Sequence, residues 1–494
     1  MYSHNQRQLL IKEDELVFSG IKLNPENRWV KLAEIIPWDE IEEEYVKNFQ
    51  QIRRGGEARS ARFALGTLII KEQLNLSDRE TVQQIRENFY LQYFLGQKEY
   101  SYDISLDASS LTYFRKRFSS ATLNALNRRI VSQHTGESSV KSEEKSAETE
   151  REDDAGKEEE EARCGTLIVD ATCTPADIQF PTDVRLLHEA RRKLEGMMDN
   201  LQRGRKEKKP KNYRERANRD YKRFVKNRRP KKRQIRRALR RQLGYVRRDL
   251  SIVRQMREDS SVQLSQREQR YLETIEKLYE QQKEMYDNHK NSCEHRIVSI
   301  HQPHVRPIKR GKATAKTEFG AKVSIAMVKG YAEVTRLSWE AYNESQDLMR
   351  GIEEYRTHFG YYPERVLADK IYRTRDNLRY CAQRGIRLSG PTLGRRPVNE
   401  ELCEEQRRQE RKDAGDRNAV EGKFGEGKRA YGLNRIMCRL EETSETQIVL
   451  IFLVMNLNKI LRDLFYAFFR LTLWRAKTHF MELPSLRTAL LNAA

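Results

Sequence analysis

The sequence lacks most of what would tie a chain to a membrane or an oxidising compartment. Its six cysteines are Cys164, Cys173, Cys293, Cys381, Cys403 and Cys438, and no two form a CxxC pair. Their spacing gives no disulfide framework, so a reducing compartment is expected. Long apolar runs are also missing. The longest, "IVLIFLVM" at 448–455, is too short to span a bilayer, and Asn456, Asn458, Lys459, Arg462 and Asp463 break up the residues beyond it. That stretch reads as a buried helix. The opening "MYSHNQRQLLIKEDELVFSG" has no apolar signal core. A cytoplasmic protein without a membrane anchor is the expectation.

Charge is abundant and unevenly placed. The 494 residues, too many for one compact domain, predict two or three. Of these residues 34% are charged and 37% hydrophobic, and the formal net charge is +21. Between Arg203 and Arg248 stand 23 lysines and arginines against Glu207, Glu215 and Asp220, a net +20. The positive charge is therefore one patch, the pattern that counterion release from a phosphate backbone requires. Tyr213, Tyr221, Phe224 and Tyr245 interleave with it. A basic run can be a solvated face, but this density predicts contact with nucleic acid.

Periodicity divides the chain further. Residues 1 to about 135 read as helical. "ARFALGTLIIKEQLNL" is an apolar-periodic helix, and Ser77 with Glu80 forms a capping-box pattern ahead of Val82, Ile85 and Phe89. Two such helices suit a helix-turn-helix or a plain helical bundle, and both readings stand. Residues 136–162 contain no aromatic and almost no apolar residue, which predicts a flexible acidic linker. "GTLIVDATCTPADIQFPTD" starts a different kind of structure, with a buried strand through Leu167, Ile168 and Val169 that ends at Asp170. Polar helices fill about 185–294. Two strands then flank Lys329-Gly330 in a hairpin. A short strand at Val366 and Leu367 ends at Asp369, Thr374 caps a helix closed by Gly385, and "IRLSGP" forms the next strand. This order predicts a mixed or parallel sheet with helices on its faces, covered by the apolar helix near 448–470.

Asp170 and Asp369 thus fall at the ends of buried strands, where a carboxylate is costly unless a cation accompanies it. Glu421 joins them from a helix. Arg417 lies four residues before it and Lys428 seven after, on one helical face provided that Gly422, Gly425 and Gly427 do not end the helix. Three converging carboxylates can hold two Mg²⁺ ions for phosphoryl transfer. Alone, Asp170 is better explained as a strand-end cap and Asp369 as a salt-bridge partner of Lys370 or Arg373; together with Glu421 the balance moves to catalysis. Asp177 and Asp183 read as structural. Cys293, His295, His301 and His304 match no common zinc spacing and read as a loop, and Trp339 reads as core.

Arg417, Glu421 and Lys428 resemble the R-(3)-E-(6)-K part of the Y-(2)-R-(3)-E-(6)-K motif of bacterial insertion-sequence DDE transposases. "VDAT" at 169–172 and "VLADKIY" at 366–372 resemble the strands that carry that family's first two aspartates. The helical region at the start resembles its InsH-type N-terminal domain. Where the motif has tyrosine this sequence has Ala414. The resemblance implies an α/β fold: an RNase H-like catalytic domain at 164–184 and 295–480, a helical DNA-binding domain at 1–135, a linker at 136–163 and a basic helical insertion at 185–294. It implies Asp170, Asp369 and Glu421 as catalytic ligands of two Mg²⁺ or Mn²⁺ ions. DNA contacts are expected from Arg417 and Lys428, and from Arg228, Arg229, Lys231, Lys232, Arg233, Arg236 and Arg237 of the insertion. The implied reaction is 3′-end cleavage of element DNA followed by strand transfer. The implied partners are double-stranded terminal inverted repeats and target DNA, with a homodimer pairing two ends on the nucleoid. A non-catalytic DNA-binding protein and an RNase H-like nuclease without joining activity are the competing readings.

Overall fold

The computed structural model describes residues 17–47, 58–135, 163–309, 317–391 and 400–481. The acidic stretch 136–162, read above as a linker, lies outside the described residues. The first described part is a small ribbon, β1 (Val17–Phe18) and β2 (Ile21–Lys22), followed by helices. These are α1 (Arg28–Ile35), α2 (Trp38–Val46), α3 (Ala61–Leu74), α4 (Asp78–Glu87), α5 (Phe89–Phe94), α6 (Ser110–Arg117) and α7 (Ser120–Thr135). Local chemistry sets their starts. Asn27, Ser60, Ser77 and Asn88 each accept a backbone N–H at a helix N-terminus, and Ser77 with Glu80 completes the expected capping box. Every residue of α3 from Phe63 to Glu72 is buried, so the α3–α4 pair belongs to a helical bundle with α3 at its centre.

Strand β3 (Thr166–Pro175) leads into α8 (Asp183–Gln202), α9 (Arg214–Val225), α10 (Lys232–Asp259) and α11 (Gln266–Asp287). The chain returns through β4 (Arg306–Lys309), β5 (Thr317–Val328) and β6 (Tyr331–Ser338). It ends with α12 (Asp347–Phe359), β7 (Arg365–Leu367), α13 (Arg375–Gln383), β8 (Arg387–Leu388), α14 (Glu400–Ala430) and α15 (Glu441–Met481). The sheet runs β4-β5-β3-β7-β8, with β6 also on β5. β3 is antiparallel to β5 and parallel to β7, and β7 is parallel to β8. This is a mixed α/β sheet of the RNase H-like kind with helical regions attached. Lys329 and Gly330 both have positive φ, 51° and 82°, as a two-residue type I′ hairpin turn demands.

Two expectations need correction, and one condition set above is met. β3 does not end at Asp170 but continues to Pro175, because β5 pairs with it that far after β7 has stopped at Leu367. α14 runs unbroken through Gly422, Gly425 and Gly427. At Gly427 the missing side chain lets α14 approach α15, since a Cβ there would lie 3.1 Å from Leu433 and 3.2 Å from Met455. α15 covers the sheet only as far as Ile460, and Leu464, Phe465, Tyr466, Phe468, Phe469, Leu471, Leu473 and Trp474 are exposed. Among the described residues no helix is long and apolar enough to cross a membrane.

α15 joins the two halves of the molecule. Residues Ile448–Leu457 are buried, and they form one core with the N-terminal helices and one face of the sheet. Asn456 is the polar peg in this core. Its amide donates to Ala332 O of β6 at 2.7 Å and to Asn127 of α7 at 2.8 Å, and its Oδ1 accepts from Ala332 N at 3.0 Å. The insertion has its own core, built from Leu187, Leu194, Met198, Leu250, Val253 and Ile275. Beside it Asp249 is buried, and burial, then Glu195, raises its pKa to about 7 against the pull of Arg191.

This packing makes two outcomes testable. Gly320 pairs with Pro175 on one side and Arg306 on the other, and a Cβ there would stand 2.1 Å from the Thr174 carbonyl oxygen. Gly320→Ala should therefore cost about 1–3 kcal/mol, read as a lower denaturant midpoint. Asp249 has a folded-state pKa above the usual carboxylate value, so the folded chain prefers it protonated and is destabilised as pH rises through about 7. Asp249→Asn should raise the urea midpoint at pH 8, and the gain should fade as pH falls toward 4. A gain of equal size at both pH values would refute the assignment.

Candidate active site

The register of two strands builds the centre of the site. β3 and β7 pair Thr166 with Arg365, Leu167 with Val366 and Ile168 with Leu367. Continued two residues, this register sets Asp170 level with Asp369, where β7 has ended and the sheet opens. Asp369 turns out of the ladder and caps a 3-10 turn, Lys370–Tyr372, its Oδ1 accepting from Lys370 N at 2.7 Å. It pairs with neither Lys370 nor Arg373, whose guanidinium donates instead to the carbonyls of Leu388 and Ser389. Asp170 is mostly enclosed, with 18% of its side chain exposed. Its Oδ1 accepts from Ala171 N at 2.8 Å. Burial pushes its pKa up to about 6, and Glu344 and Asp369 press the same way, while the Ala171 N–H and Arg417 oppose them.

α14 supplies the remaining groups. Arg417 Nη1 lies 3.7 Å from Asp170 Oδ2, and Nη2 lies 3.3 Å from Glu421 Oε1. One guanidinium therefore stands between Asp170 and Glu421. Glu421 is the most solvated of these acids, with 61% of its side chain exposed. Lys428 is half-buried two turns further along the same helix, and Ala414 is exposed one turn before Arg417. Among the described residues no three His, Cys, Asp or Glu side chains converge on one point as a metal cage. The acids do share one end of the sheet, and their donors are hard oxygens, the chemistry that suits Mg²⁺ or Mn²⁺. Of the Cys293, His295, His301 and His304 group, the three histidines have other contacts: His295 meets Glu340, His301 meets Tyr271, and His304 packs edge-on to buried Trp339. Asp177 pairs with Arg435 and Asp183 with Arg296.

Glu344 is a further acid whose charge raises the pKa of Asp170, and sequence reasoning did not single it out. It begins a short turn, Glu344–Gln346, after β6, and its Oε2 lies 3.3 Å from Lys322 Nζ. No spacing rule marks it, because the fold brings it to Asp170 from another part of the chain.

The basic insertion presents its charge outward. Arg228, Arg229, Lys231, Lys232, Arg233 and Arg237 are exposed, and none of them makes an ion pair among the described residues. Arg236 is placed differently. It is half-buried, lies 4.3 Å over the ring of Tyr286 and donates to His289 Nδ1 at 2.8 Å, which fastens α10 to the end of α11.

Comparison with known proteins bears on both ends of the chain. A Transposase DDE domain model matches residues 366–458, a span that holds Asp369, Arg417, Glu421 and Lys428. A Transposase domain (DUF772) model matches residues 19–117, the helices α1 to α6. The uncharacterised protein ORF8 of the nfe locus of Rhizobium meliloti is 29% identical over 170 residues, 34% of this chain and 71% of that protein. No solved structure matches. The chain is thus similar at one end to a DUF772 transposase domain and at the other to a transposase DDE domain, with a mixed RNase H-like sheet between them, and these similarities support an insertion-sequence DDE transposase.

Proposed function

We propose that this transposase cuts the 3′ ends of its element by metal-assisted hydrolysis and joins those ends to target DNA, with Asp170, Asp369 and Glu421 as the acids of the reaction. The observation that carries the reading is the β3–β7 register, which sets Asp170 beside Asp369, together with the reach of Arg417 to both Asp170 and Glu421. Asp170 and Asp369, with Glu421 from α14, would hold the divalent cations. When bound, Mg²⁺ or Mn²⁺ supplies Lewis-acid activation of water or of a 3′ hydroxyl and neutralises charge on the leaving oxygen.

The protein's own groups account for the rest. Strand β3 holds Asp170 and the capped turn after β7 holds Asp369 before any substrate arrives, so little ordering is left to the reaction. Arg417 holds Asp170 and Glu421 within one guanidinium's span, and with Lys428 it lines the route of a phosphate past the acids. The exposed cations of α10 and the loop before it grip DNA away from the cut. Element inverted repeats and target DNA are the partners, and a homodimer brings two ends together.

Two experiments test this. On duplex DNA carrying the inverted repeats that flank the gene, the intact chain with Mg²⁺ should nick at the 3′ ends and give joined products. Asp170→Asn, Asp369→Asn and Glu421→Gln should each lower nicking at least about 100-fold while leaving DNA retention near normal. Unchanged nicking would make the acids structural, and nicking without joined product would make the chain a nuclease. Replacing Arg228, Arg229, Lys231, Lys232 and Arg233 with glutamine should weaken DNA binding. It should also flatten the dependence of log K on log salt by up to about 4, at roughly 0.9 for each phosphate that is no longer neutralised. An unchanged slope would remove the insertion from the DNA interface.

A further inference from the structure

The turn that Asp369 caps also carries Tyr372 inward. Tyr372 is fully buried, and its hydroxyl has no hydrogen-bond partner among the described residues. An orphan hydroxyl in a core costs stability, so its presence calls for a reason. The hydroxyl feels Glu344 most strongly, then Asp170, Asp347 and Tyr342, and burial together with these groups keeps it protonated and able to donate. Asp347 is already committed, accepting from Ser324 Oγ at 2.7 Å and from Arg336 at 3.0 Å. Tyr342 shares a hydrogen bond with the same Ser324 hydroxyl. Glu344 and Asp170 keep capacity, the first set against Lys322 at 3.3 Å and the second against Arg417 at 3.7 Å.

The position of Glu344 is built. Asn377 Nδ2 donates to Ser345 O at 2.8 Å and to Tyr372 O at 2.7 Å. One buried amide thus ties the turn that bears Glu344 to the turn that bears Asp369 and Tyr372. Lys322 anchors the Glu344 turn from β5, donating to Tyr342 O at 2.9 Å.

We propose that Glu344 and Tyr372 belong to the cation site: Glu344 as a further carboxylate beside Asp170, and Tyr372 as the donor to an oxygen that arrives with the cation. That oxygen is a bound water or a carboxylate oxygen turned by the ion. The inference rests on the reading of Asp170 and Asp369 as cation ligands. It explains why a hydroxyl without a partner stays in the core: its acceptor comes with the ligand.

Thermal melting of the intact chain without DNA, titrated with MnCl₂, tests this, with Mn²⁺ binding followed in parallel by electron paramagnetic resonance. Tyr372→Phe should melt about 1–3 °C above the parent without cation, because the orphan hydroxyl is gone. It should nevertheless need about tenfold more Mn²⁺ for an equal shift. Glu344→Gln should also bind Mn²⁺ at least about tenfold more weakly. A purely structural role for Tyr372 would leave the Mn²⁺ dependence unmoved. If Asp369→Asn loses the Mn²⁺ response while Glu344→Gln and Tyr372→Phe keep that of the parent, this inference fails and the acid site stands. If the parent shows no Mn²⁺ binding, both fail together.

Discussion

The candidate site depends on one electrostatic constraint: Asp170 on β3 feels the like charges of Asp369, in the turn after β7, and of Glu344. Like charges so placed repel, and burial of Asp170 sharpens the conflict. The chain can keep the arrangement only by supplying positive charge or a proton. Arg417 supplies part of the charge, at 3.7 Å, and the raised pKa of Asp170 records what is left uncompensated. The surrounding structure holds that conflict in place. β5 clamps the far half of β3, Asn377 locks the turns, and α14 remains helical through three glycines so that Arg417 and Glu421 arrive together.

The second organising element is α15. Its apolar length looked like a cover for the sheet, yet it lies inside one core shared by sheet and N-terminal helices, touching β6 on one side and α3, α6 and α7 on the other. The N-terminal region is thereby fastened to the catalytic sheet through a helix that comes almost last in the sequence. Asn456 makes the junction specific. A buried amide must find partners, and those it finds lie on α7 and β6 at one register of the helix.

Much of this was legible in the residues. Ser77 with Glu80, Lys329-Gly330 and Thr374 announced their elements because caps and tight turns are decided within four residues. Asp170, Asp369 and Glu421 stand out as candidates through strand context and the spacing of Arg417 and Lys428. What sequence could not give was set by distant partners. The strand after Asp170 continues because β5 pairs with it. Asn456 reads in sequence as an interruption of an apolar run, although it is buried. Arg236 reads as one more phosphate contact, although Tyr286 and His289 occupy it. Glu344 carries no motif, and only the fold brings it to Asp170.

The basic helices occupy an unusual place in the topology. They leave after Pro175, and the chain re-enters the sheet through β4 at Arg306 before β5 pairs with β3 from Gly320 onward. For the sheet, the helical excursion is therefore one long connection between the end of β3 and the start of β4. The entropy of closing such a loop grows only logarithmically, by about 0.6 kcal/mol for each doubling of length. Helices can be lengthened, recharged or exchanged there with little consequence for the ladder that positions Asp170. The part of the molecule that carries the concentrated positive charge and the part that arranges the acids are thus free to change at different rates.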